Sequence, residues 1–162
     1  MVDKPAEFLK LTASTRGSAY LGIDPGDRYV GYAIADEVMK IATPQDVWDI
    51  KDWAKFIVLL KKHLQENGVK GMVCGWPINM DGSIGERCVK TRAFVEKLEE
   101  NIDIPILLWD ERLTSFQAEQ LMSEHGAKRS QIKSKNHSVA ASLILQSFMD
   151  YLNHPQRAKN KA

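Results

Sequence analysis

The chain opens on a segment without clear periodicity and then, from residue 19 to residue 35, reads AYLGIDPGDRYVGYAIA. Two runs rich in β-branched and aromatic residues flank a Pro-Gly-Asp turn, which predicts a hairpin with Asp24 at the end of its first strand. Residues 41–48 add a third antiparallel strand, and Pro44 pushes that segment toward a sheet edge or a bulge. Trp53, Ile57, Leu60 and Leu64 then recur at helical spacing, with Asp49 or Asp52 as the cap and Asn67-Gly68 as the stop. Residues 70–75 form a short buried strand, residues 76–83 a loop rich in Pro, Asn, Asp and Gly, and Cys88, Val95, Leu98 and Ile102 mark one face of a second helix.

The apolar run 104–109 predicts a further strand that ends on Asp110 and Glu111. Thr114, with Gln117 three residues on, opens a third helix that Gly126 closes. Lys128, Arg129, Lys133 and Lys135 follow without apolar periodicity, as expected of a mobile basic loop. A last helix is predicted from about residue 136 to 152, with Ala140, Leu143, Ile144, Phe148 and Tyr151 on its apolar face. A meander of strands followed by strands alternating with helices implies an α/β protein, a mixed sheet flanked by helices. Ligands of such sheets sit at the carboxyl ends of the strands.

With 162 residues the chain holds one domain, expected over residues 19–153 between a partly ordered leader (1–18) and a disordered basic tail (154–162). The 22 Lys and Arg against 21 Asp and Glu leave a formal charge of +1, so attraction to nucleic acid must come from a local patch. No apolar run nears the roughly 18 residues that cross a bilayer, and the first residues lack the pattern of a secretory signal. A cytoplasmic protein without membrane partners is expected. Its two cysteines, Cys74 and Cys88, lack metal-ligand spacing and read as buried thiols.

Two acidic positions fall at the carboxyl ends of predicted strands: Asp24, and the pair Asp110 and Glu111. Clustered carboxylates repel, and a divalent cation with oxygen ligands is a chemical reason to gather them. The plainer alternative is that Asp24 serves the turn before Pro25 and that Asp110 and Glu111 cap a helix.

Four stretches, LGIDPGDRYVGYAIAD, CGWPINMDGS, WDERLTSFQAE and KNHSVAASLILQSFMDYL, occur in this order. Together they resemble the YqgF family, also called RuvX-like, relatives of Holliday junction resolvases. The resemblance spans residues 20–152. It implies a ribonuclease H-like fold whose five-stranded sheet begins with three antiparallel strands. It also implies a nuclease site of acidic residues holding Mg²⁺ or Mn²⁺, and a task in trimming precursor ribosomal RNA or processing branched DNA. The family's first aspartate falls on Asp24 and its Asp-Glu-Arg signature on Asp110, Glu111 and Arg112. Its third acidic position falls on His137, ahead of Ala140 and Ala141, while Gln117 and Asp27 stand where the family usually has Glu and Thr or Ser.

His137 is open to three readings: a ligand or general base working as the neutral ring, an inert replacement in a weakened two-carboxylate site, or a bystander. Around the expected catalytic and metal set of Asp24, Asp110, Glu111 and His137, several residues are candidates for contacts to nucleic acid. Arg28 can add charge beside the Gly-rich turn, Asn79 can donate to a phosphate or satisfy its own loop, and Arg112 belongs to the signature. Lys128, Arg129, Lys133 and Lys135 can neutralise backbone phosphates. The turn Gly-Ile-Asp-x-Gly also opens the phosphate loop of actin-like ATPases, but 162 residues hold one such lobe and no second phosphate motif. The alternatives to an RNA nuclease are a catalytically impaired nucleic-acid binder and a junction-cleaving enzyme, which would need a homodimer to present two sites; a monomer or a homodimer is expected.

Overall fold

The computed structural model describes residues 1–112 and 137–153. The helix expected over 114–126, the basic loop carrying Lys128, Arg129, Lys133 and Lys135, and the tail after 155 lie outside those residues.

Five strands, β1 (Ala19–Pro25), β2 (Tyr29–Asp36), β3 (Ala42–Asp49), β4 (Val69–Trp76) and β5 (Ile106–Asp110), form one sheet in the order β3-β2-β1-β4-β5. The pairs β1–β2 and β2–β3 are antiparallel, and β1–β4 and β4–β5 are parallel, so the meander passes into a parallel half as the sequence pattern predicts. The register between β2 and β3 shifts beside Ala33 and Pro44, the bulged edge that the proline demands.

Period-two alternation sends each strand's side chains to two separate cores. Leu21, Ile23, Met72, Cys74, Ile106 and Leu108 face helices α2 (Trp53–Glu66) and α3 (Glu86–Glu99), where they meet Phe56, Leu60, Val95 and Leu98. Tyr20, Val73, Leu107 and Trp109 face the opposite side, against α1 (Pro5–Ala13) and α4 (His137–Asn153). Asp52, rather than Asp49, caps α2, its Oδ1 accepting from the Lys55 amide at 3.1 Å, while Asp49 takes the guanidinium of Arg28. Ile102 is buried but lies beyond the end of α3.

Two features differ from the sequence expectation. The segment read as a leader carries α1, whose Phe8 is fully buried among Tyr20 and Phe148. Ahead of it Val2 pairs in parallel with Leu107: the Val2 amide donates to the Ile106 carbonyl at 2.9 Å, and the Leu108 amide to the Val2 carbonyl at 2.8 Å. Scattered charges mask the apolar face of a helix this short, and an extended residue such as Val2 has no periodicity to read. The buried face of α4 is also rotated: Ala141, Ile144, Leu145, Phe148 and Met149 are buried, whereas Ala140, Leu143 and Tyr151 are half-buried. A helix lying across a sheet buries a wide stripe, and its centre follows the packing geometry rather than the most apolar residues.

Candidate active site

The alternation that builds the two cores also sorts the acidic residues. In β1 Tyr20 points toward α4 and Gly22 faces it, where a Cβ would meet Leu145, so Asp24, two residues further, lies toward it too. Leu107 and Trp109 in β5 point the same way, and Glu111, one residue past the strand, continues their parity. Its backbone stays in register because its amide donates to the Trp76 carbonyl at 3.1 Å. Asp110 has the opposite parity. Its carboxylate takes the fork of Arg112, with Nε at 3.1 Å from both oxygens and Nη2 at 2.8 Å from Oδ2, and it also accepts from the Arg112 amide at 2.9 Å.

Two glycines make room for the site. A Cβ on Gly75 would stand 2.3 Å from Glu111 Oε1, so the carboxylate lies over β4 only because that position has no side chain. A Cβ on Gly31 would stand 2.0 Å from the carbonyl carbon of His137, so β2 admits the first residue of α4 against its backbone. That close approach brings His137 Nδ1 to 3.0 Å from Asp24 Oδ2. The ring donates its Nδ1 proton to the carboxylate, which leaves Nε2 as the atom able to accept a proton or bind a cation when the ring is neutral.

Burial, and secondarily the charge of Asp24, push the Glu111 carboxyl up to about 7, against a counteracting pull from Arg87. The hydrogen bond to Asp24 raises His137 above the ordinary histidine range, opposed by its partial burial and by Arg87. Beneath the pair, burial and then the charges of Asp24 and Glu111 raise the Cys74 thiol, which is therefore inert as a nucleophile. Among the described residues no three His, Cys, Asp or Glu side chains are grouped closely enough to hold a metal ion. Asp24 and Glu111 nevertheless have the donor chemistry of a hard-cation site. Burial first, and the charge of Asp24 second, keep Glu111 protonated up to about 7, and Mg²⁺ commonly takes only one or two protein carboxylates alongside water and substrate phosphate.

The structure thus sets His137 on Asp24, places Glu111 on the same face of the sheet within electrostatic reach of Asp24, and turns Asp110 onto Arg112. Arg28 is exposed and forked on Asp49, with Nη2 at 3.1 Å. The Asn79 side chain is spent on its own loop, donating to Ser83 Oγ at 2.9 Å. Of the residues that the sequence pattern did not single out, Arg87 and Lys90 matter most. They line a hollow of about 400 Å³ between the β1–β2 turn and α3, together with Gly26, Arg28 and His137. Their signal was the spacing Arg87, Lys90, Thr91, Phe94 along one side of α3, which reads equally well as an ordinary solvated helix face.

A mixed five-stranded sheet in this order, with acidic residues at the carboxyl ends of β1 and β5, is a ribonuclease H-like domain. Its shape resembles that of Thermus thermophilus RuvC in complex with Holliday junction substrate, at a TM-score of 0.50 and 12% identity over 84% of this chain and 95% of that one. The family described as RuvX, Holliday junction resolvase, matches residues 18–151, and this chain belongs to that family. Relatives that carry the name Putative pre-16S rRNA nuclease include one from Halothermothrix orenii, 38% identical over 82% of this chain and 95% of its own length. Others come from Dictyoglomus thermophilum, 41% identical over 80% and 94%, and Rhodobacter capsulatus, 38% identical over 90% and 92%.

Proposed function

We propose that this protein is a metal-dependent nuclease that hydrolyses phosphodiester bonds in structured RNA, with the 5′ end of precursor ribosomal RNA as its target. The observation that carries the reading is the placement of Asp24 and Glu111 at strand ends on one face of the sheet, with Gly75 left bare to admit Glu111. The names borne by the relatives supply the substrate class.

In this reading Asp24 and Glu111 hold Mg²⁺ or Mn²⁺. Such a cation supplies Lewis-acid charge at the phosphoryl oxygens. His137 orients Asp24 through the Nδ1 hydrogen bond, and its Nε2 is placed to ligate or to take a proton. Asp110 acts at one remove, holding Arg112 in a fixed fork from which a guanidinium can meet a phosphate. Lys128, Arg129, Lys133 and Lys135 extend the same contact along the backbone, and Asn79 shapes the rim of the cleft. The family's description and the RuvC-like shape favour a second substrate, the four-way DNA junction.

The test is cleavage of a labelled precursor-rRNA fragment and a four-way DNA junction by the unmodified protein and by Asp24→Asn, Glu111→Gln and His137→Ala, in Mg²⁺ and in Mn²⁺. Loss of cutting in both carboxylate variants, and a drop of about 10–100-fold in His137→Ala, are expected. An imidazole ligand favours manganese over magnesium. Protons and cation compete for Glu111, so activity should fall as the pH drops through about 7, and that acid limb should move to lower pH as metal is raised. Cutting of the RNA that survives Asp24→Asn would end this reading, and cutting confined to the junction would transfer it to DNA.

A further inference from the structure

Beside Asp24 and His137 runs a trough of whose lining only His137 and Arg28 have been given a role. The hollow between the β1–β2 turn and α3 opens at one end on His137. At its other end it shares Asp27, Arg28 and Phe94 with a second hollow of about 480 Å³, lined further by Lys51, Trp53 and Lys97. The two form one continuous path leading away from Asp24. Five cations line it: Arg87 and Lys90 near His137, Arg28 in the middle, and Lys51 and Lys97 at the far end. Among the described residues Asp27 is the one carboxylate in the lining, 3.6 Å from Lys90, and Asp49 outside the lining holds Arg28.

Aromatic surface alternates with these charges. Trp53 and Phe94 meet edge to face at 5.8 Å, Lys97 Nζ lies 4.0 Å over the Trp53 ring, and Arg28 lies over Tyr29. Exposed lysines on a solvated helix need no aromatic floor, and an apolar docking groove would not be rimmed by cations. Cations beside aromatic faces in a narrow path are what a single strand of nucleic acid uses, its phosphates neutralised and its bases laid on rings. Trp53 and Phe94 are half-buried against Phe56 and the core, and the ring surface they keep toward the trough would go unused by a duplex, which presents phosphates but keeps its bases stacked within. With a net charge of only +1, the chain must hold a polyanion through local groups of cations, of which this stripe is one.

We propose that this trough binds the single-stranded segment flanking the cleaved bond, with Arg87 and Lys90 on the phosphates nearest the site and Lys51, Lys97 and Trp53 on nucleotides further out. The assignment rests on the nuclease reading for its direction. On binding, the Lys97 ammonium leaves the Trp53 ring for a phosphate and a base takes its place.

The experiment measures binding of a labelled single-stranded RNA of mixed sequence by the Asp24→Asn protein across a salt series. The same protein carrying Lys51→Ala with Lys97→Ala, or Lys61→Ala with Lys62→Ala on the distant end of α2, is compared. Removing Lys51 and Lys97 is expected to weaken binding roughly tenfold and to reduce the slope of log affinity against log salt by about 1.4, at about 0.7 per lost contact. The Lys61 and Lys62 pair removes equal charge and should leave both unchanged. Cross-linking of a 4-thiouridine oligonucleotide should map to the peptides carrying Trp53 and Phe94. Equal losses from the two lysine pairs, no loss from either, or no binding at all would overturn the trough. Duplex RNA held as tightly as the single strand, with the same sensitivity to Lys51 and Lys97, would overturn its single-stranded assignment. Cutting by the unmodified protein is scored separately, so a failure of the nuclease reading is seen independently of these results.

Discussion

Glu111 shows most directly what the site costs the fold. Its carboxyl is ordinarily half-protonated near 4.5 and here near 7, because burial and Asp24 disfavour its charge. A folded value raised above the unfolded one contributes stability that is fully present below pH 4.5 and lost as the pH rises to about 7. For a shift of this size the loss is on the order of 3 kcal/mol. His137, also raised, adds in the same direction. Urea unfolding of the metal-free protein should therefore show Glu111→Gln more stable than the parent at pH 8 and little different at pH 4.5. The same difference at both values would refute the coupling. The space that Glu111 occupies is checked by Gly75→Ala. The new methyl meets Glu111 Oε1 and Ile144 Cδ1 at under 3 Å, so it should reduce stability by about 1–3 kcal/mol and displace the carboxylate. A displacement near 1 Å costs about a hundredfold in cleavage, and an alanine variant that cuts as the parent does would show that Glu111 has another seat.

Among the elements, those with clean periodicity were legible in the sequence and those defined by long-range contact were not. The β1–β2 hairpin, the proline-marked edge strand β3, helix α2 with Asp52 as one of its two candidate caps, and the strand leading to Asp110 and Glu111 all follow from local pattern and turn chemistry. Asp24 and Glu111 were legible as candidates because they end strands. Which member of the Asp110-Glu111 pair faces α4 was not, since that depends on carrying strand parity one residue past the strand end. Nor was the contact of His137 with Asp24, separated by 113 residues, which depends on Gly31 admitting the start of α4. Helix α1 went unread for a related reason: its one large buried side chain, Phe8, finds its partners in β1 and α4. Phe8→Ala should accordingly destabilise the protein by about 3–5 kcal/mol in urea unfolding, the range of a fully buried phenylalanine. A loss below about 1 kcal/mol would return α1 to the status of a leader.

For the whole molecule the question is how an open five-stranded sheet keeps both edges from pairing with another chain. At β3 the bulge beside Pro44 breaks the edge, and the Ala42 amide is taken by Gln146 Oε1 at 2.8 Å. At β5 the cover, among the described residues, is Val2, which occupies the Ile106 carbonyl and the Leu108 amide, with the N-terminal ammonium anchored on Glu99 at 2.6 Å. Val2 is thus a one-residue strand guarding the edge whose next residues are Asp110 and Glu111. Removing residues 1–4 exposes that carbonyl and that amide on a strand whose residues ahead of Asp110 are buried and apolar, which is the condition for edge-to-edge association. Sedimentation velocity should show the truncated protein shifting to larger species as concentration rises, over a range where the full chain sediments unchanged. Cleavage should fall along with it, because β5 sets the position of Glu111. Truncated protein that sediments and cuts like the full chain at every concentration would mean that β5 needs no cover and that the site is held by β4 and α4 alone.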